Sequence, residues 1–211
     1  MESENHKVIR AFLSEDERKI IVDWMDSLNP ESTDPNHHLS ALSKSVKGKV
    51  VIFDISNTDR TNYITNFQKV SKIEYKVPSI IHNIIDKIST LLNIPKHDVF
   101  LQVVDMQSGG KISPHYDAAI DGFINYKCNI SVLSEDYNFY MGDDVINVSE
   151  GDMYCFEASL YKHWTDEFKS RRLFMSFGFM LPYQILNRND DDPRIRLSKR
   201  IEKYFQKSIS R

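Results

Sequence analysis

Apolar positions recur at helical spacing in two places within the first hundred residues. Ile21, Trp24, Met25 and Leu28 fall on one face, and Ser14 and Glu17 stand just ahead in the arrangement of a capping box. A helix is therefore predicted over 15–28, with Asn29-Pro30 ending it. Ile81, Ile84, Ile85, Ile88 and Leu92 mark a second amphipathic helix, with Pro78 at a tolerated first-turn position and Pro95 closing the segment. Between the helices, KVVIFDI (49–55) is rich in β-branched residues and predicts a strand. It is flanked by polar stretches that read as loop.

Beyond Pro95 the pattern changes to short apolar runs: DVFLQVVDM, ISPHYDA, KCNISVL, DYNFYM, VINVS, DMYCFE and RRLFMSFGFML. Ser-Gly-Gly, Gly-Asp-Asp and Glu-Gly-Asp turns separate several of them. That rhythm predicts a β sandwich or barrel rather than alternating βαβ units. The tail returns to helix, with Asp190 to Asp192 and Pro193 as its start and Leu197, Ile201, Tyr204 and Ser208 along one face. The expected organisation is one domain over 1–211: a helical layer and lid at 1–97, a β core at 98–183, and a terminal helix at 184–211.

Composition narrows the function classes. The chain has 211 residues, enough to bury a sizeable core, and a net charge of −3 gives no general attraction to nucleic acid or anionic membrane. No apolar run reaches the roughly 18 residues of a membrane span, and MESENHKVIR lacks the apolar core of a secretory signal. Cys128 and Cys155 form no disulfide framework, so a cytoplasmic setting is expected.

The candidate chemistry lies in GGKISPHYD. Side chains two apart on a strand share a face, so His115 and Asp117 can converge on one ion. His163 is the histidine late in the β region, in EGDMYCFEASLYKHW, where a Gly-Asp turn launches a strand. His6, His37, His38, His82 and His97 lie in loop, terminal or helical context. Two histidines and one carboxylate leave the opposite side of a metal open, as in non-haem Fe(II) oxygenases. Such a site needs an electron source. Arg172 heads the apolar run RLFMSFGFM, where a buried guanidinium is costly unless a carboxylate meets it. With Ser176 on the same face, it could hold the distal carboxylate of a dicarboxylic keto acid. A cupin is the rival fold, although cupins start from two histidines around one residue. The non-enzymatic alternative is a metal-holding β-roll binding module, whose site would be filled by protein ligands, with Cys155 as the residue to watch.

The segment from about 99 to 183 resembles the double-stranded β-helix of Fe(II)/2-oxoglutarate-dependent dioxygenases. GGKISPHYD is similar to the metal-binding strand of AlkB-type enzymes, EGDMYCFEASLYKHW to their Gly-Asp strand and distal histidine, and RLFMSF to their cosubstrate strand. The resemblance covers about 85 residues and implies an α+β fold with a jelly-roll core. It implies His115, Asp117 and His163 as ligands of Fe(II) and Arg172 as the anchor of 2-oxoglutarate. Dioxygen would be the co-reactant, succinate and carbon dioxide the coproducts, and ascorbate an accessory reductant.

The sequence departs from the AlkB pattern at Val104 and Met106, where an asparagine and a tyrosine contact the cosubstrate. Phe174 and Gly178 replace a further asparagine and a second arginine. The short step from His163 to Arg172 is closer to the prolyl-hydroxylase pattern. Asn129, just after the metal motif, is the first choice to supply the missing contacts, with Gln102, Ser131 and neighbouring tyrosines as others. A nucleic-acid lid would interleave lysine and arginine with aromatics, whereas KSVKGK (44–49) is the only modest basic cluster in residues 31–76. The terminal helix is more basic, with Arg194, Arg196, Lys199, Arg200, Lys203 and Lys207. A small-molecule substrate, such as a free amino acid or secondary metabolite, is the expectation. Demethylation of nucleic acid and hydroxylation of protein are the alternatives.

Overall fold

In the computed structural model, which describes residues 6–27, 48–54, 78–94, 99–117, 119 and 123–182, the predicted capping box closes. The Ser14 amide donates to Glu17 Oε2 at 2.8 Å, and the Glu17 amide donates to Ser14 Oγ at 3.2 Å. Helix α1 (Glu15–Ser27) follows, with Glu15, Asp16 and Glu17 in its first turn, where acidic groups suit the helix dipole. Helix α2 (Ser79–Leu92) starts one residue later than a first-turn proline requires, because Pro78 is its extended N-cap. Asn93 ends it in the left-handed conformation, φ 51°, with its amide bonded to the Ser89 carbonyl.

Among the described residues there are nine strands: β1 (His6–Ile9), β2 (Gly48–Asp54), β3 (Val99–Met106), β4 (Phe123–Leu133), β5 (Tyr137–Met141), β6 (Asp144–Val148), β7 (Met153–Glu157), β8 (His163–Thr165) and β9 (Arg172–Pro182). They form a six-stranded sheet in the order β1-β7-β4-β9-β3-β2 and a three-stranded sheet, β6-β5-β8. All pairings are antiparallel. Alternation along the strands makes two cores. Leu173, Met175, Phe177 and Phe179 of β9 join Cys128, Ile130 and Val132 of β4 against the helices, around Ile21, Met25, Ile84 and Ile88. Phe174, Val104, Met106, Tyr154 and Phe156 meet Phe139 and Met141 between the sheets, closing the jelly roll.

Three expectations need correction or fall outside the described residues. The segment before residue 98 is not a purely helical layer, since β1 pairs with β7 and β2 with β3. HKVI is too short for its alternation to stand out. ISPHYDA is not a full ladder strand, because only His115 forms a bridge, to His163. The terminal helix at 184–211 and most of the loops at 31–76 lie outside the described residues.

Polar contacts fasten the helix layer to the sheet. Arg171 makes a two-pronged pair with Asp105 of β3, both bonds 2.9 Å, and also reaches Asp26 of α1 at 2.6 Å. At the turn before β7, Gly151 has φ +86°, and its carbonyl accepts the Leu13 amide at 3.0 Å. Asp152 beside it accepts the amides of Ala11 and Ser149 and pairs with Arg10. A Cβ on residue 151 would stand 3.0 Å from the Leu13 carbonyl oxygen, which is backbone and cannot swing away. Gly151→Ala should therefore cost about 2 kcal/mol, lowering the melting temperature by roughly 4–8 °C. Differential scanning calorimetry checks this, and an unchanged melting temperature would refute it.

Candidate metal centre

His115, Asp117 and His163 each offer one ligand atom, and these atoms lie within 4.8 Å of one another. The backbone sets this up. His115 and His163 exchange amide–carbonyl bonds of 3.2 and 2.9 Å, placing their rings 4.3 Å apart between centroids. The Asp117 amide donates to the Ala158 carbonyl at 3.0 Å, which pins the loop to the turn before β8. Asp117 Oδ1 is 3.3 Å from His115 Nε2 and 4.0 Å from His163 Nε2.

Hydrogen bonding decides which nitrogens are available. His115 Nδ1 lies 2.7 Å from the Ser113 carbonyl and His163 Nδ1 lies 2.9 Å from the Tyr161 carbonyl. A carbonyl only accepts, so both Nδ1 atoms carry the proton. Burial beside Phe139 and Phe156 pushes the His163 imidazole down, to about 4, although the nearby Asp117 charge opposes this. At neutral pH its Nε2 is a bare lone pair aimed at a carboxylate. Burial pushes Asp117 up, but Lys127, the His115 contact and His163 outweigh it and hold the carboxyl well below the usual range. Two imidazole Nε2 atoms converging on one carboxylate oxygen are a donor set that fits a cation, and two imidazoles with one carboxylate suit a transition metal.

The His163 shift predicts a pH dependence for the metal-free protein. In the unfolded chain the imidazole takes a proton near pH 6.5; in the folded chain it resists until about pH 4. The unfolded state thus binds more protons in that window. Stability is full above pH 6.5 and falls by on the order of 3 kcal/mol as pH drops toward 4. Urea unfolding in chelator should show a shallower loss for His163→Asn over the same range. Equal slopes would refute this.

Arg172, at the start of β9, is fully buried inside the roll. Its guanidinium lies over the rings of Tyr137, Phe168 and Phe174 at 4.2–4.5 Å. Nη2 donates to the Tyr137 hydroxyl at 2.6 Å and, at a long 3.5 Å, to that of Tyr154. Nε and Nη1 have no partner among the described residues. Burial pushes the Tyr154 phenol well up, so it stays protonated. Asn129 Nδ2 donates to the same phenol at 3.3 Å. Ser176 lies buried opposite Asn129 and Gln102 in the cross-strand register. The result is a polar row, Tyr154–Asn129–Ser176–Gln102, running across the interior beside an unpaired cation.

Sequence reasoning missed several residues here. Lys127 was detectable by strand parity with Asn129, while Tyr137 and Phe168 have no local signal. Val104 and Met106 line the apolar interior and offer no hydrogen bonds. Cys155 is set aside as a fourth ligand: it faces the helix layer opposite Cys128, away from the cluster.

No family model matches the sequence, and no curated protein matches it. Solved structures do. The viral collagen prolyl hydroxylase of Paramecium bursaria Chlorella virus-1, as its 2-oxoglutarate complex, aligns with TM-score 0.56 at 14% identity, over 85% of this chain and 97% of that one. HygX from Streptomyces hygroscopicus, with nickel and 2-oxoglutarate bound, aligns with TM-score 0.53 at 10% identity, over 84% and 83%. A prolyl 4-hydroxylase from Phytophthora capsici gives TM-score 0.53 at 12% identity, over 86% of this chain and 60% of that one. At these identities the likeness is one of fold, and the fold is the jelly roll that these proteins share. Among the described residues, no helix is long and apolar enough to cross a membrane.

Proposed function

We propose that this chain is an Fe(II)- and 2-oxoglutarate-dependent oxygenase that hydroxylates a small molecule. One observation carries the reading: the same roll holds a His-Asp-His cluster and a buried guanidinium with two nitrogens that have no partner among the described residues. His115 Nε2, His163 Nε2 and Asp117 Oδ1 would hold the iron. Arg172, with the Tyr137 and Tyr154 hydroxyls, would hold the distal carboxylate of 2-oxoglutarate. The chemistry supplied by the bound pair with dioxygen is oxidative decarboxylation to succinate and carbon dioxide, with the second oxygen atom inserted into a substrate C–H bond.

The chain's own residues prepare that chemistry. The Ser113 and Tyr161 carbonyls keep both imidazoles in the tautomer that exposes Nε2. Phe139 and Phe156 keep water from His163. Asn129 and Arg172 orient the Tyr154 phenol toward the polar row. The ring faces of Phe174 and Phe168 hold the Arg172 guanidinium in place.

A net charge of −3 supports a metabolite such as a free amino acid over nucleic acid. Hydroxylation of a protein side chain is the second reading, supported by the prolyl hydroxylases among the fold's neighbours and by the short step from His163 to Arg172. The test is succinate release from 2-oxoglutarate with Fe(II) and ascorbate, across free amino acids, proline-containing peptides and methylated single strands. Stimulation by a free amino acid or related metabolite is expected. Stimulation by peptide alone would favour the second reading. Salt-sensitive strand binding with formaldehyde release would overturn both, and metal binding without any succinate would indicate a binding module.

A further inference from the structure

The ammonium of Lys127 lies 2.9 Å from Asp117 Oδ2 as an ion pair without hydrogen-bond geometry, and among the described residues this buried oxygen has no hydrogen-bond partner. Lys127 sits on β4 in the roll-facing row with Asn129, and its cross-strand partners are Phe156 and Gly178. Gly178 carries no side chain, so nothing from β9 competes for space beside the lysine at that register. The side chains are 12% and 16% exposed, so this is not an ordinary surface pair, and holding the ammonium there carries a desolvation cost.

The two oxygens of Asp117 therefore have different surroundings. Oδ2 meets Lys127, while Oδ1 stands 3.3 Å from His115 Nε2 and 4.0 Å from His163 Nε2. A carboxylate can bind a metal through one oxygen or through both. We infer that Lys127 is a positioning residue that occupies Oδ2 and presents Asp117 to the metal through Oδ1 alone. The inference rests on the metal site proposed above. It restricts Asp117 to a single coordination position and leaves the remaining positions to other ligands.

The sign of one measurement separates this role from a bystander charge. A bystander cation repels a divalent ion, so removing it would tighten metal binding. A positioning group organises the donor set, and losing such a partner typically weakens binding about 10- to 100-fold.

The experiment titrates Ni(II) into wild type, Lys127→Met and Lys127→Arg by calorimetry at pH 7, with circular dichroism as the check on folding. Wild type should take up one ion per chain. Lys127→Met should bind about 10-fold or more weakly, and Lys127→Arg, which can still pair with Oδ2, should recover most of that loss. Lys127→Gln repeats the neutral test should the methionine variant not fold. Equal or tighter binding by a folded neutral variant overturns the inference and leaves the metal site standing. A wild type that binds no Ni(II) removes the underlying reading and the inference with it.

Discussion

Replacing Arg172 with methionine should stabilise the metal-free protein and at the same time abolish its response to 2-oxoglutarate. The guanidinium is fully buried, and no carboxylate among the described residues pairs with it. Three aromatic faces and one short bond to Tyr137 recover part of its desolvation cost, but Nε and Nη1 stay unpartnered. Substituting an apolar chain of similar volume for such an ion commonly gains stability, here about 1–2 kcal/mol. Binding works the other way. An acid that completes the buried pair gains the charge-assisted bonds the protein lacks, so their loss should raise the 2-oxoglutarate requirement roughly 100-fold or more.

Thermal melts with and without 2-oxoglutarate make the opposite signs visible. Wild type should melt higher with the acid, by an increment near 2.7 kcal/mol at about 100 times the dissociation constant, while the variant should not respond. Arg171→Met is the control. Its side chain ties Asp105 and Asp26 on the helix side, so it should lose stability and keep the 2-oxoglutarate response. A less stable Arg172→Met protein that still responds would exclude the proposed anchor.

The legible parts of the molecule were those with a local signature. The capping box and the isoleucine stripe predict both helices to within a few residues, because helical periodicity is encoded over consecutive turns. His115 and Asp117 were found through strand spacing. They converge through a single bridge and an amide bond to Ala158 rather than through a ladder. Tyr137, Tyr154 and Phe168 could not be assigned from sequence. They meet Arg172 only because strands of two different sheets, and a loop, close over the same interior, and that register is a property of the folded sheets. Lys127 was missed, although strand parity with Asn129 places it facing inward, and nothing local points to its pairing with Asp117.

Asp117→Ala should have the largest effect at the metal centre, for two separable reasons. It removes the anionic member of the donor set, so Ni(II) uptake and succinate release should both fall to background. It also strands Lys127, whose ammonium keeps little contact with water and loses the carboxylate 2.9 Å away. Leaving one partner of a buried pair uncompensated costs about 3–5 kcal/mol, and the residual exposure here lowers the expectation to about 2–3 kcal/mol. That cost should appear in chelator, with no metal present, as a lower urea midpoint. Adding Lys127→Met should restore most of the midpoint while restoring none of the metal binding. His115→Ala separates the two effects from the other side: it loses a ligand but leaves the Asp117–Lys127 pair in place, so its stability loss in chelator should be smaller. Ni(II) uptake by Asp117→Ala equal to wild type would sink the metal assignment. A double variant no more stable than Asp117→Ala would show that the stranded lysine is not the source of the loss.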